Sequence, residues 1–196
     1  MRVAKAFALT VALSGVVPFF LAHVTLGIPT AAAHTAQPVA ATDLAKGRQI
    51  ITNLKMFDLL MFGGRKGLIG TPEIAALPKT DQAGLIALFN AEMELRRAGV
   101  IDALVAANFE RLSATQLDQL VQLSNIKYTQ DLVLAGGDPS LATPNAAGMT
   151  AAERDLFYGL IGQIWVSKFF TTFDYSSAAP FFTSAGESAL ASYHAE

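Results

Sequence analysis

The sequence predicts an all-α protein: one helical bundle of about five to seven helices behind an N-terminal signal peptide. Three observations carry this. Apolar residues between positions 42 and 196 recur at three- and four-residue spacing, the period of a helix with one buried face. Ser or Thr stands three residues before Glu or Gln at several points where such a stripe begins, which is the signature of a capped helix start. No stretch alternates apolar and polar residues as a half-buried strand does.

The first element is residues 1–33. Arg2 and Lys5 give a basic start, and Ala6 to Ile28 then carry no charge apart from a protonatable His23. As a helix that run spans about 35 Å, enough to cross a hydrocarbon core of roughly 30 Å. Length alone therefore allows a retained anchor. The flank points to removal instead. Pro29 breaks the helix, and Ala31 and Ala33 fit the small-x-small pattern read by a signal peptidase. Cleavage is expected between Ala33 and His34, giving a periplasmic or secreted protein. A membrane is a partner only if the segment stays attached.

Residues 34–41 read as a flexible lead into a helical domain over 42–196. Thr42 or Asp43 is placed to cap the first helix, where Ile50, Ile51, Leu54, Phe57 and Met61 form one stripe. Gly63-Gly64 reads as its stop, and "GGRKGLIG" as the loop that follows. Thr71-Pro72-Glu73 opens a short helix that Pro78 closes. Thr80 and Asp81 start a longer one with Leu85, Ile86, Phe89 and Met93 on its stripe, and Gly99 marks a kink or an end. Val100, Ile101, Leu104, Val105 and Phe109 continue the pattern.

Two later segments are alike: "LSATQLDQLVQL" (Leu112 to Leu123) and "MTAAERDLFYGL" (Met149 to Leu160). Ser113 with Gln116 and Thr150 with Glu153 form capping boxes. The simpler reading is two helix starts solving one hydrogen-bonding problem; the sharper one is a duplicated helical unit. Between them, near 135–149, lies a glycine- and proline-bearing loop without periodicity. Ser184 with Glu187 reads as a third box, starting a final helix after Pro180.

"AKGRQIITNL" (Ala45 to Leu54) and "FERLSATQLDQLVQLSNIKYTQ" (Phe109 to Gln130), behind an alanine-rich start, resemble a family of small proteobacterial periplasmic proteins known only as a domain of unknown function. Leu112, Ser113, Gln116 and Leu117 fill the family's short motif. Where that family continues with Phe-Tyr and a Ser-Pro-x-Gly turn, Leu123-Ser124-Asn125 stands here. The likeness spans roughly residues 42–135. It implies export and helicity, and it brings no activity and no catalytic residue.

Composition narrows the function. Removal of Arg2 and Lys5 leaves twelve basic against sixteen acidic residues, a formal charge of −4 with no basic stripe, so no nucleic-acid partner is expected. The chain has no cysteine, which excludes a lipoprotein anchor and disulfides and leaves burial to stabilise the fold. After cleavage only His34 and His194 remain as histidines, neither at ligand spacing with other donors. A new N-terminal His34 offers an amine and an imidazole to Cu(II), with His194 the one further imidazole; the plainer reading gives His34 no role. No metal and no cofactor are expected. Glu92, Glu94, Arg96 and Arg97 read as a solvated face with a Glu92–Arg96 pair worth about 0.2–0.5 kcal/mol. Asp118 and Asp155 suit helix starts. No Ser–His–Asp set forms, and "GGRKGLIG" lacks the strand and the hydroxyl of a phosphate loop.

The richest segment is "FYGLIGQIWVSKFFTTFDY" (Phe157 to Tyr175). Read as one helix, it places Phe157, Leu160, Ile161, Ile164 and Lys168 on one side, with Tyr158, Trp165, Phe169 and Thr172 beside them. A helix apolar on so much of its circumference is expected at the centre of the bundle, with Trp165 in the core. The alternative is an aromatic-lined groove, for which Tyr158, Ile161, Trp165 and Phe169 are the candidate residues. The function expected is therefore non-enzymatic binding of a protein partner or an apolar small molecule. An enzyme using carboxylates or a weakly held metal is the second reading.

Overall fold

The computed structural model describes residues 41–194; the cleavage position at Ala33 and His34 lies outside them. Among the described residues the chain is helical and contains no strand. It runs α1 (Ala41–Asn53), α2 (Met56–Ile69), a four-residue α3 (Pro72–Ala75), α4 (Lys79–Phe109), α5 (Ala114–Asn125), α6 (Lys127–Gly137), α7 (Ala151–Ile161), α8 (Ile164–Thr171) and α9 (Ala179–Tyr193). Single 3-10 turns lie at Ala146–Gly148 and Ser176–Ala178. The segments outnumber the stripes seen in the sequence because three stripes are cut by short breaks, at Leu54-Lys55, at Ile126 and at Gly162-Gln163.

α4 is the spine. Its 31 residues extend about 46 Å, and α1, α2 and α9 pack along it. The apolar stripe explains this directly: Leu85, Phe89, Met93, Val100, Leu104 and Val105 are fully buried, and so, within 1 %, is Phe109. α1 contributes Ile50, Ile51 and Leu54, and α2 contributes Met56, Phe57 and Met61. α1 runs antiparallel to α4, since Arg48 pairs with Asp102 (Nε–Oδ1 2.6 Å) while Gly47 lies against Val105. It runs parallel to α5, with Lys46 on Asp118 at 2.6 Å and Asn53 Nδ2 donating to Ser124 Oγ at 3.1 Å.

The glycines do not end helices as the sequence suggested. α2 continues through Gly63-Gly64, so "GGRKGLIG" is helix up to Ile69 rather than loop, and α4 continues through Gly99. The reason is packing. A Cβ on Gly64 would sit 2.5 Å from Phe182 Cε1 and 3.1 Å from Phe89 Cζ, and one on Gly99 would sit 2.7 Å from Phe181 Cε1. Two consecutive rings of α9 therefore rest on two glycines, one on α2 and one on α4. The helix-propensity cost of about 1 kcal/mol at each is offset by ring burial.

Both boxes at Ser113 and Thr150 form. Gln116 N donates to Ser113 Oγ (3.3 Å) and Ser113 N to Gln116 Oε1 (2.9 Å); Glu153 N donates to Thr150 Oγ1 (3.2 Å) and Thr150 N to Glu153 Oε2 (2.8 Å). The third box does not. α9 begins at Ala179 with Pro180 in its first turn, where proline's missing N–H costs nothing. Ser184 thus lies inside the helix and accepts from Arg96 Nη2 at 3.4 Å. The carbonyls ending α3 are met by a side chain: Gln82 Nε2, on a buried residue, donates to Ala75 O (3.1 Å) and Leu77 O (2.9 Å).

Between α1 and α2, Lys55 takes φ 57, the one positive φ on a non-glycine residue among those described. That conformation costs a side-chain-bearing residue roughly 1–2 kcal/mol, and the Lys55 side chain is exposed. Lys55→Gly is expected to raise stability by about 0.5–1 kcal/mol, net of the larger entropy glycine loses on folding. Urea unfolding followed by circular dichroism measures it; an unchanged or lower midpoint would contradict the reading of strain.

Candidate functional site

The four residues singled out in the sequence do not meet in one groove. α7 ends at Ile161, Gly162 follows as its cap, and Gln163 is extended (φ −80, ψ 131) before α8 begins. This break turns what reads as one helix into two with different faces. Phe157 and Leu160 go inward, whereas Ile161, Ile164 and Lys168, expected on the same side, are exposed. Phe169 is buried, its ring 5.3 Å from that of Phe109 and 5.5 Å from that of Phe173. Trp165 is partly buried at the edge of the core rather than within it, and its Nε1 donates to Gln163 Oε1. A central position for the whole segment is therefore corrected: the break lets α8 bury Val166 and Phe169 while α7 buries Phe157 and Leu160.

What remains outside is an apolar surface around the break. Tyr158 is 59 % exposed, Ile161 37 % and Ile164 86 %. Tyr158 and Ile161 are one turn apart on α7, and Ile164 opens α8 three residues later. The Tyr158 ring leans edge-on against Phe157 (5.3 Å), which packs in turn against Tyr128 of α6 (5.1 Å). Among these three, Ile164 was not singled out as a site residue from the sequence, because the stripe placed it beside buried Phe157 and Leu160. Its available signal was the uncharged run from Leu156 to Ser167.

The polar candidates are engaged structurally. Arg96 pairs with Glu92 as the i,i+4 spacing implied, and its Nη2 also reaches Ser188 Oγ of α9 at 3.3 Å. Arg97 holds Glu94 (Nε–Oε2 2.8 Å) while its guanidinium lies 4.2 Å over the Phe57 ring. Asp138 accepts from Lys66 Nζ at 2.6 Å and from the Ser140 amide and hydroxyl, which hold its carboxyl well below the usual carboxylate range. Among the described residues no three His, Asp or Glu side chains group as metal donors. His194 is exposed beside the Tyr193 ring, and His34 lies outside the described residues.

Tyr175, half-buried, follows α8. It packs against Phe173 at 4.7 Å, and burial pushes its hydroxyl up to about 12 from 10.0. The folded state therefore holds the proton more tightly than the unfolded chain. The stability this represents is complete below pH 10 and is lost as pH rises towards 12. Unfolding midpoints should fall across that window, and Tyr175→Phe should flatten the fall; an equally steep loss in the variant would assign it to other groups.

No helix among the described residues is long and apolar enough to cross a membrane. No protein-family model, curated protein or solved structure matches the chain, so the apolar surface at the α7–α8 break is defined by its own geometry alone.

Proposed function

We propose that this is an exported, non-enzymatic helical protein, periplasmic or secreted, that binds an apolar partner, a protein or an apolar small molecule, through the α7–α8 break. The observation that carries the binding reading is Ile164, 86 % exposed beside Ile161 and Tyr158 at a helix junction. Leaving a full Ile side chain in water forgoes roughly 1.5–3 kcal/mol of burial, and grouped apolar exposure of this kind marks interaction sites. The basic start, apolar run and small-residue flank of residues 1–33 support export. The engagement of Glu92, Glu94, Asp102, Asp118, Asp131 and Asp138 with Lys or Arg favours binding over a carboxylate enzyme.

The test is native mass spectrometry of the chain recovered from the exported fraction, wild type against Ile164→Asp. An apolar species is expected on the wild type and missing from the variant, with an N-terminus at His34. A species retained equally by both, or a bare wild-type chain that also binds no lipid vesicle, would end the binding reading. Intact Met1 in the cytosol would end the export reading.

A further inference from the structure

We propose that the partner of the α7–α8 break is a lipid bilayer surface, into which Tyr158, Ile161 and Ile164 insert. This rests on the binding reading above and names its partner class. Three observations favour a bilayer over a protein.

The first is area. Three partly exposed side chains offer a few hundred Å² of apolar surface, whereas a stable protein interface needs about 800 Å² from each partner. A second copy of this chain meeting only at this patch would fall short. A bilayer has no such threshold, because each inserted side chain leaves water independently.

The second is charge. From Leu156 to Phe173 the only charged residue is Lys168, and it is exposed. One turn before Tyr158 stand exposed Arg154 and Asp155, whose charges offset each other, so Lys168 leaves the patch with a small positive excess that suits lipid phosphates. Tyr158 brings a ring with a polar edge, the kind of side chain favoured at the headgroup level.

The third is where the chain leads. α1 is antiparallel to α4, with Arg48 on Asp102 and Gly47 on Val105. Its first turn therefore points towards the Phe109 end of α4, which packs on Phe169 and Phe173 beside α8. Residues 29–40 join that end to the apolar run Ala6–Ile28, across at most about 40 Å of extended chain. Before cleavage after Ala33, while that run is still attached and engaged with a membrane, α8 lies within reach of the same bilayer.

The experiment is flotation of the exported chain with vesicles of phosphatidylcholine alone and of phosphatidylcholine with phosphatidylglycerol. Wild type should float with both, more strongly with the anionic lipid, and Trp165 emission should shift to the blue on mixing. The double variant Ile161→Ser, Ile164→Ser should partition at least about tenfold less, with unchanged circular dichroism and unfolding midpoint. Lys168→Gln should remove only the gain from phosphatidylglycerol. No flotation of wild type, or equal flotation of the double variant, would overturn the proposal. If flotation fails while a species sensitive to Ile164→Asp is still seen by native mass spectrometry, the partner is not lipid but the surface remains a binding site. If both fail, the binding reading falls as well.

Discussion

Phe109→Ala is expected to lower the free energy of unfolding by about 3–5 kcal/mol, a large share of the roughly 5–15 kcal/mol that stabilises a domain. Phe109 is 1 % exposed and is the inner member of an edge-on aromatic group, its centroid 5.3 Å from Phe169 and 6.5 Å from Phe173. The same turn of α4 carries Asn108, whose Oδ1 accepts from Asp174 N (2.6 Å) and whose Nδ2 donates to Asp174 O (3.0 Å). Ring and amide together hold α8 and the segment after it to the spine. Truncating the ring leaves a cavity that neither side can close without moving that backbone. Denaturant unfolding followed by both circular dichroism and Trp165 fluorescence tests this. A loss below about 1 kcal/mol would mean the aromatic group collapses freely and is not packed as described.

Gly64→Val should cost about 3 kcal/mol, at the upper end for overpacking. Alanine is the poorer probe, because a helix-interior Gly→Ala change gains about 1 kcal/mol of propensity that masks part of the clash. Valine adds branches where a Cβ alone would already stand 2.5 Å from Phe182 Cε1. The clash is specific, so it should couple: adding Phe182→Leu to Gly64→Val should cost less than the two single changes summed, by about 0.5–3 kcal/mol. The contrast is Gly84, in the exposed part of α4, where an added Cβ would meet nothing within 4 Å. Additive losses at 64 and 182 would break the claim that the ring sits on the glycine.

How much of this was legible can be judged residue by residue. Ile50, Ile51, Leu54, Phe57 and Met61 formed one stripe in the sequence and are all buried, but the break at Leu54-Lys55 divides them between α1 and α2, which periodicity alone does not reveal. The boxes at Ser113 and Thr150 were legible because donor and acceptor are three residues apart. Gly64 and Gly99 were misread, since the rings that need them, Phe182 and Phe181, lie more than 80 positions away. Ser184 fooled the capping rule because Pro180, a stronger start signal, had already opened α9. At the candidate site, the apolar character of Tyr158 and Ile161 was legible but their exposure was not. The decisive event is the two-residue break at Gly162-Gln163, which changes the faces presented by the residues on either side. Phe169 was chosen for a groove and is core for the same reason.

The seating of Phe181 and Phe182 on Gly99 and Gly64 also bears on the order in which the protein assembles. A chain made or threaded from its N-terminus has α2 and α4 in place long before residues 179–193 arrive. Until then Phe89 and the two glycines face no ring, and the spine's longest contact surface is open. The contacts that close it join positions more than 80 apart, so they form late and impose the largest loop-closure cost in the bundle. On the proposed export reading, a chain threaded through a narrow channel would lack the contacts that close the spine until α9 emerges. Compact folding would thereby be deferred to the far side.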